Sequence, residues 1–138
     1  MSAKTFVDTN ILVYSSDRNA GKKREIARAL LDELWRDRTG VLSVQVLQEF
    51  YVTVTRKLAV PLSKDAAREI VDTYALWCGE TSAAEVVAAT RIEKEFRIAF
   101  WDALIIASAA KAGANRVASE DMNHGQVIAG VRIENPFV

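Results

Sequence analysis

The sequence predicts an α/β fold: a central parallel sheet of four to five short strands, flanked by helices, with a helical hairpin. Three observations lead there. Brief apolar runs (Phe6-Val7, Val41-Leu42, Arg116-Val-Ala-Ser119, Val131-Arg-Ile133) are spaced between longer amphipathic stretches. Strands alternating with helices imply parallel pairing through right-handed crossovers. Two helical stretches, about residues 44–58 and 64–77, follow one another with only Pro61 and its neighbours between them, which suggests a helical hairpin projecting from the sheet. The chain has 138 residues, half of them apolar, enough for one domain, 1–138, with its own core.

Composition narrows the function classes. Lys plus Arg and Asp plus Glu each number 18, so the net charge is zero. A strongly basic nucleic-acid binder is not indicated, although a local basic patch is compatible with this balance. The single cysteine, Cys78, excludes an internal disulfide and a Cys-rich zinc site and fits a reducing cytoplasm. Met1-Ser-Ala-Lys4 lacks the apolar core of a signal peptide. No apolar run is long enough to span a membrane. There is no repeat, low-complexity segment or linker.

The first strand, around Phe6-Val7, stops at Asp8. Thr9-Asn10 reads as a polar turn and Ile11 to Tyr14 as a second apolar run. Asp8 then stands at a strand's C-terminal end, where open α/β sheets bind ligands; capping the next turn is the plainer role for it. A polar loop, residues 15–21, leads to a helix at about residues 22–38 with Ile26, Leu30, Leu31 and Leu34 on one face. Lys22, Lys23 and Arg24 open that helix, where its dipole disfavours cations. They are either a solvated charge run or a patch that grips phosphate.

Val41-Leu42-Ser43 reads as the second strand, with Ser43 as a helix cap. The following helix places Leu47, Phe50, Tyr51, Val54 and Leu58 on its apolar stripe. Glu49 lies off that stripe with Gln45, near the strand-to-helix edge. Ser63 caps the next helix, whose stripe is Ala67, Ile70, Val71, Tyr74 and Trp77. Aromatic residues in such stripes are more often core than binding surface. Cys78 to Glu80 reads as a short strand. Ser82-Ala-Ala-Glu85 is a capping box opening a helix to Phe96, with Arg91, Lys94 and Arg97 as its solvated face. Phe100 to Ala110 is apolar on most sides after Asp102, and Gly113 is its stop. Arg116 to Ser119 is the next strand, ending in Glu120-Asp121 and the loop Met122-Asn-His-Gly125. Val131 to Ile133 is the last.

Asp8 and Asp121 follow strand ends, while Glu49 and Asp102 lie near the starts of helices. In a parallel sheet, helices run back and begin at the C-terminal edge of the strands. All four acids therefore belong to one edge. Carboxylates crowded together repel one another. A magnesium or manganese ion relieves that repulsion, because these ions take oxygen ligands, keep several waters and bridge phosphates. Such a centre suits phosphodiester hydrolysis. Zinc is disfavoured by one His and one Cys, and His124 in its loop is more simply solvated. There is no G-x-S-x-G, Walker A or G-x-G-x-x-G motif. Asp8-Thr-Asn10 resembles the first motif of haloacid-dehalogenase-like phosphatases, but Asn10 stands where those enzymes need an acid. A protein-binding module whose acidic edge receives a basic peptide is the non-enzymatic alternative.

The stretches Val7-Asp-Thr-Asn-Ile-Leu-Val13, Ser43-Val-Gln-Val-Leu-Gln-Glu-Phe-Tyr51, Trp101-Asp-Ala-Leu-Ile105 and Ser119-Glu-Asp-Met-Asn-His-Gly125 together resemble the PIN-domain ribonucleases, and among them the VapC-type toxins of bacterial toxin–antitoxin pairs. The similarity spans nearly the whole chain. It implies a PIN-like sheet and a Mg2+- or Mn2+-dependent endoribonuclease. It implies an acidic, metal-holding catalytic site at Asp8, Glu49, Asp102 and Asp121, with Glu120 the competitor for the fourth place. Asn10 and Ser119 match positions that support the site by hydrogen bonding. An RNA substrate, an antitoxin partner and a homodimer are further implications. A free-standing PIN-type RNA-processing nuclease stays open beside the toxin.

Overall fold

Short strands buried at the centre and helices wrapped around them follow from the apolar pattern. The computed structural model describes residues 3–138; Met1 and Ser2, the start of the stretch read for a signal peptide, lie outside the described residues. The strands are β1 (Lys4–Val7), β2 (Gly40–Val41), β3 (Ala114–Ala118), β4 (Val127–Ile128) and β5 (Val131–Glu134). The helices are α1 (Thr9–Ser16), α2 (Lys22–Asp37), α3 (Val44–Arg56), α4 (Lys64–Tyr74), α5 (Ala83–Phe96) and α6 (Phe100–Lys111). The sheet order is β2-β1-β3-β5-β4. Pairings β1–β2, β1–β3 and β3–β5 are parallel. This is the α/β architecture the alternation predicts.

Edge strand β4 was not anticipated, and it runs antiparallel to β5. Ile128 pairs with Val131, so Ala129 and Gly130 form a two-residue loop. Both have positive φ, 50° and 82°, as a type I′ hairpin turn needs. Alanine in that conformation departs from the Asn-Gly or Asp-Gly signature, which is why the hairpin is hard to see in the sequence.

Residues 9–14 also differ from their reading. Thr9-Asn10 is the first turn of α1, and Ile11, Leu12 and Val13 are buried along it. Asp8, extended at φ −74° and ψ 160°, caps it by accepting a hydrogen bond from the Thr9 N–H. Burial overrides the strand preference of the β-branched residues here. On α2 the buried face is Ala27, Leu31 and Leu34, with Ile26 37% exposed. The apolar stripe is thus centred on a small residue, Ala27, that a search for large side chains passes over. On α3 the fully buried row is Val46, Phe50 and Val54, with Leu47, Tyr51 and Leu58 packed at its margin. Cys78 makes one isolated bridge to Leu42, not a strand through Glu80.

An aromatic cluster joins α2 to the end of α4. Trp77, in a 3-10 turn after α4, lies 4.6 Å from the Trp35 ring and 4.9 Å from Tyr74. Trp77 is therefore core, and half-buried Tyr74 packs at its margin. Gly40 in β2 makes room for them: a Cβ there would sit 2.5 Å from the Trp77 ring. On the other side, the capping box Ser82–Glu85 forms as read. Buried Glu85 meets Lys111 of α6 at 2.5 Å, tying α5 to α6. No helix among the described residues is long and apolar enough to cross a membrane.

Gly40→Ala should destabilise the protein by about 1–3 kcal/mol, as overpacking against a buried ring does; urea denaturation measures it, with the loss reading as a lower midpoint. Glu85 supplies a pH signature. Lys111, then Ser82, holds its carboxyl down from 4.5 to about 2. Stability from this pair is fully present above the ordinary value and is lost as pH falls from about 4.5 through about 2. Glu85→Gln should lower the melting temperature at pH 7, with the difference from the parent shrinking towards zero by about pH 2.

Candidate active site

Parallel pairing of β1 with β3 builds the site. Val7 stands opposite Ala118, and the Asp8 N–H donates to the Ala118 carbonyl at 3.0 Å. The next residues on each strand, Asp8 and Ser119, therefore emerge together. Fully buried Ser119 donates its Oγ–H to Asp8 Oδ2 at 2.8 Å and accepts the Asp121 N–H at 3.2 Å. The other Asp8 oxygen accepts the Thr9 N–H at 2.7 Å. Asn10, on the first turn of α1, donates to Asp121 Oδ2 at 2.6 Å. The β3 end, the α1 start and the loop after β3 are thus stitched into one unit.

The remaining acids come from helices. Glu49 of α3 takes a long hydrogen bond from Thr9 Oγ1, 3.5 Å, and one from Gln45 Nε2, 2.7 Å. Asp102, in the first turn of α6, lines a cavity of about 150 Å3 with Asp121, Ile98, Met122, Asn123 and Gln126. Larger adjoining clefts of about 330 and 360 Å3 lie between the α3 start, α5 and α6. Their buried acid, Glu85, is neutralised by Lys111, so the unpaired acidity is at the strand edge.

Electrostatics record the crowding. Burial raises Asp8 to about 6, against the pull of the Ser119 and Thr9 hydrogen bonds, and the charges of Asp121 and Glu49 push it the same way. Asp102 is raised by burial and then by Asp121. Asp121 is raised by burial and by Glu120, with Lys23 opposing. Each neighbour acts on the next, so the four acids form one electrostatic group.

Glu120 and Asp121 face different surroundings. Glu120 accepts hydrogen bonds from the Tyr14 hydroxyl and from Lys23 Nζ, the latter at 2.7 Å. Burial works to raise its pKa, but the Lys23 and Tyr14 contacts outweigh it and the carboxyl is lowered. Asp121 instead faces Asn10 and the Asp102 cavity. Of the three cations opening α2, Lys22 is exposed and Lys23 is taken by Glu120. His124 Nδ1 accepts the Asn135 N–H at 2.9 Å, tying the loop to the C-terminal tail.

The donor set is chemically suited to Mg2+ or Mn2+: carboxylate oxygens, few of them, beside amide and hydroxyl groups. Among the described residues no three acidic, His or Cys side chains are gathered at ligand spacing. Asp8, Asp121 and Glu49 stand as neighbours linked through Ser119 and Thr9, Asn10 holds Asp121, and Asp102 shares a cavity with Asp121. An ion that keeps most of its waters needs only one or two of them directly. Sequence reasoning missed Thr9, which touches Glu49, and Tyr14, which holds Glu120. It noted Gln45 only as a neighbour of Glu49 on the helix face; the i, i+4 spacing is the signal that joins the pair.

The PIN domain family model matches residues 5–128, and the chain belongs to that family. No curated protein matches the sequence significantly. Solved structures share the fold, two of them as follows. Mycobacterium tuberculosis VapC20, described as a sarcin-ricin loop cleaving toxin, is 17% identical, with a TM-score of 0.61 over 83% of this chain and 87% of that one. The complex FitAB, bound to an IR36 DNA fragment, is similar over 97% of this chain and 96% of that chain, at 20% identity and a TM-score of 0.69.

Because folding lifts Asp8 from 3.8 to about 6, ionising it costs stability as pH rises through that window, and the full cost stands at pH 7. Without divalent cations, Asp8→Asn should stabilise the protein at pH 7 by on the order of 1–3 kcal/mol. The gain should vanish below about pH 4. Thermal melts of both proteins across that pH range measure it.

Proposed function

We propose that this chain is a divalent-cation-dependent endoribonuclease, the toxin of a toxin–antitoxin pair. The observation that carries this reading is the shared acidic edge: Asp8 and Asp121 joined through Ser119, with Glu49 and Asp102 raising the local negative charge from α3 and α6. Membership of the PIN family supports a nuclease. The likeness to VapC20, a sarcin-ricin loop cleaving toxin, supports an RNA phosphodiester as the substrate.

In this reading Asp8 and Asp102 are the principal holders of Mg2+ or Mn2+, and Glu49 and Asp121 complete a second position or orient water. When bound, the ion supplies Lewis acidity towards the scissile phosphate and makes neighbouring water more acidic. The chain's own groups do the placing. Ser119 and the Thr9 N–H fix both oxygens of Asp8, and Asn10 fixes Asp121. Gln45 turns Glu49 towards Thr9 and the edge. Exposed Lys22, with Arg24 on the same turn of α2, is a proposed phosphate contact; Lys23 is committed to Glu120 instead. The partners of the reading are an RNA substrate, a co-encoded antitoxin and a second copy in a homodimer, in the cytoplasm.

Asp8→Asn and Asp102→Asn should each lower cleavage of structured RNA by about 100-fold or more, as should chelation of divalent ions. Undiminished cleavage by either variant, or in chelator, defeats the metal reading. Mn2+ at a hundred times its dissociation constant should stabilise the parent by about 2.7 kcal/mol, raising its melting temperature, and should leave Asp8→Asn little changed. A protein encoded next to this one that binds it and stops cleavage marks the toxin. Cleavage that no such partner restrains marks a free-standing RNA-processing nuclease.

A further inference from the structure

Three cations at the start of α2 are a puzzle for helix stability, and the structure gives one of them a use away from the helix. Lys23 reaches across to Glu120 of the loop after β3, 2.7 Å away. Its ammonium lies 5.0 Å from the centre of the Tyr14 ring and 5.4 Å from that of Phe137. Those rings meet edge to face at 5.4 Å. Tyr14 donates to the other Glu120 oxygen, so both oxygens of that carboxylate are taken. Exposed ion pairs are ordinarily weak. This one has a largely covered carboxylate, 18% exposed, and two aromatic walls that favour a cation.

We propose that Lys23 and Tyr14 are positioning residues: by clasping Glu120 they hold the loop 119–124 so that Asp121, and not Glu120, faces Asp8 and Asp102. The inference rests on the nuclease reading for its purpose, but the clasp itself stands on contacts alone. The loop is held on its far side as well, where His124 accepts from Asn135. Between the two anchors lie the Asp121 N–H bond to Ser119 and the Asn10 bond to Asp121. Residues 120–122 form a bend after β3; with Glu120 fixed against α1 and α2, the Asp121 N–H on Ser119 and the Asn10 bond to its carboxylate keep Asp121 at the acidic edge.

Simple electrostatics predicts the opposite sign from positioning. Removing a cation beside an acidic edge should tighten Mn2+ binding. Loss of positioning should weaken it. The test uses the full chain as Lys23→Met, Tyr14→Phe and Lys23→Arg. Hydrogen exchange over residues 119–124 is followed without metal, Mn2+ binding is measured by calorimetry, and RNA cleavage is titrated with Mn2+. Lys23→Met and Tyr14→Phe should speed exchange in that segment by about ten-fold while β1 and β3 stay protected. Both should weaken Mn2+ binding by about ten-fold and raise the Mn2+ needed for half-maximal cleavage alike, with kcat at saturating Mn2+ within about three-fold of the parent. Lys23→Arg should restore all of these. Unchanged exchange, or Mn2+ binding that is equal or tighter in Lys23→Met, overturns the proposal. If the parent neither binds Mn2+ nor cleaves RNA, the nuclease reading has failed and the exchange measurement alone decides the clasp.

Discussion

The register between β1 and β3 is the constraint on which the site depends. Val7 opposite Ala118 brings Asp8 and Ser119 off the sheet side by side. A slip of one residue would turn every side chain on the strand to the other face. Phe6 and Val117 would leave the core together with the misplacement of Asp8. Both are fully buried and paired across the same ladder, so core packing and site geometry are enforced by one set of contacts. From this register follow the capping of α1 by Asp8, the reach of Asn10 to Asp121 and the seat of Ser119 beneath both acids.

Two acids with little access to solvent show how differently the fold treats charge. Glu85 has a lysine against it and two contacts from Ser82, and its ionised form is favoured. Asp8 has hydrogen bonds but no cation, and its ionised form is penalised by burial and by acidic neighbours. The first arrangement joins two helices. The second stores electrostatic tension at one rim of the sheet, the condition under which a bound dication is most strongly attracted. Sites that work are commonly where a fold tolerates such tension.

Much of this architecture was legible in the sequence, for reasons particular residues show. Helices α3 to α6 announce themselves by caps at Ser43, Ser63 and Ser82 and by the stop at Gly113. The placement of four acids at one edge follows from strand and helix alternation alone. Local patterns could not show that residues 9–14 are helical, because Ile11, Leu12 and Val13 look alike in a buried strand and a buried helix. Nor could they show the β4–β5 hairpin, whose turn puts an alanine at positive φ. The difference between the surroundings of Glu120 and Asp121 was beyond the sequence because Glu120 meets Tyr14 and Lys23, about a hundred residues away in the chain. Spacing in sequence carries no record of such long-range pairs.

The two outer strands of the sheet, β2 and β4, are only two residues long. Strands so short leave few free N–H and C=O groups, and short edges are one way proteins discourage neighbours from adding a strand. Growth of the sheet from molecule to molecule is thereby disfavoured at both margins. Side chains rather than backbone ladders are then what a companion molecule meets at these margins.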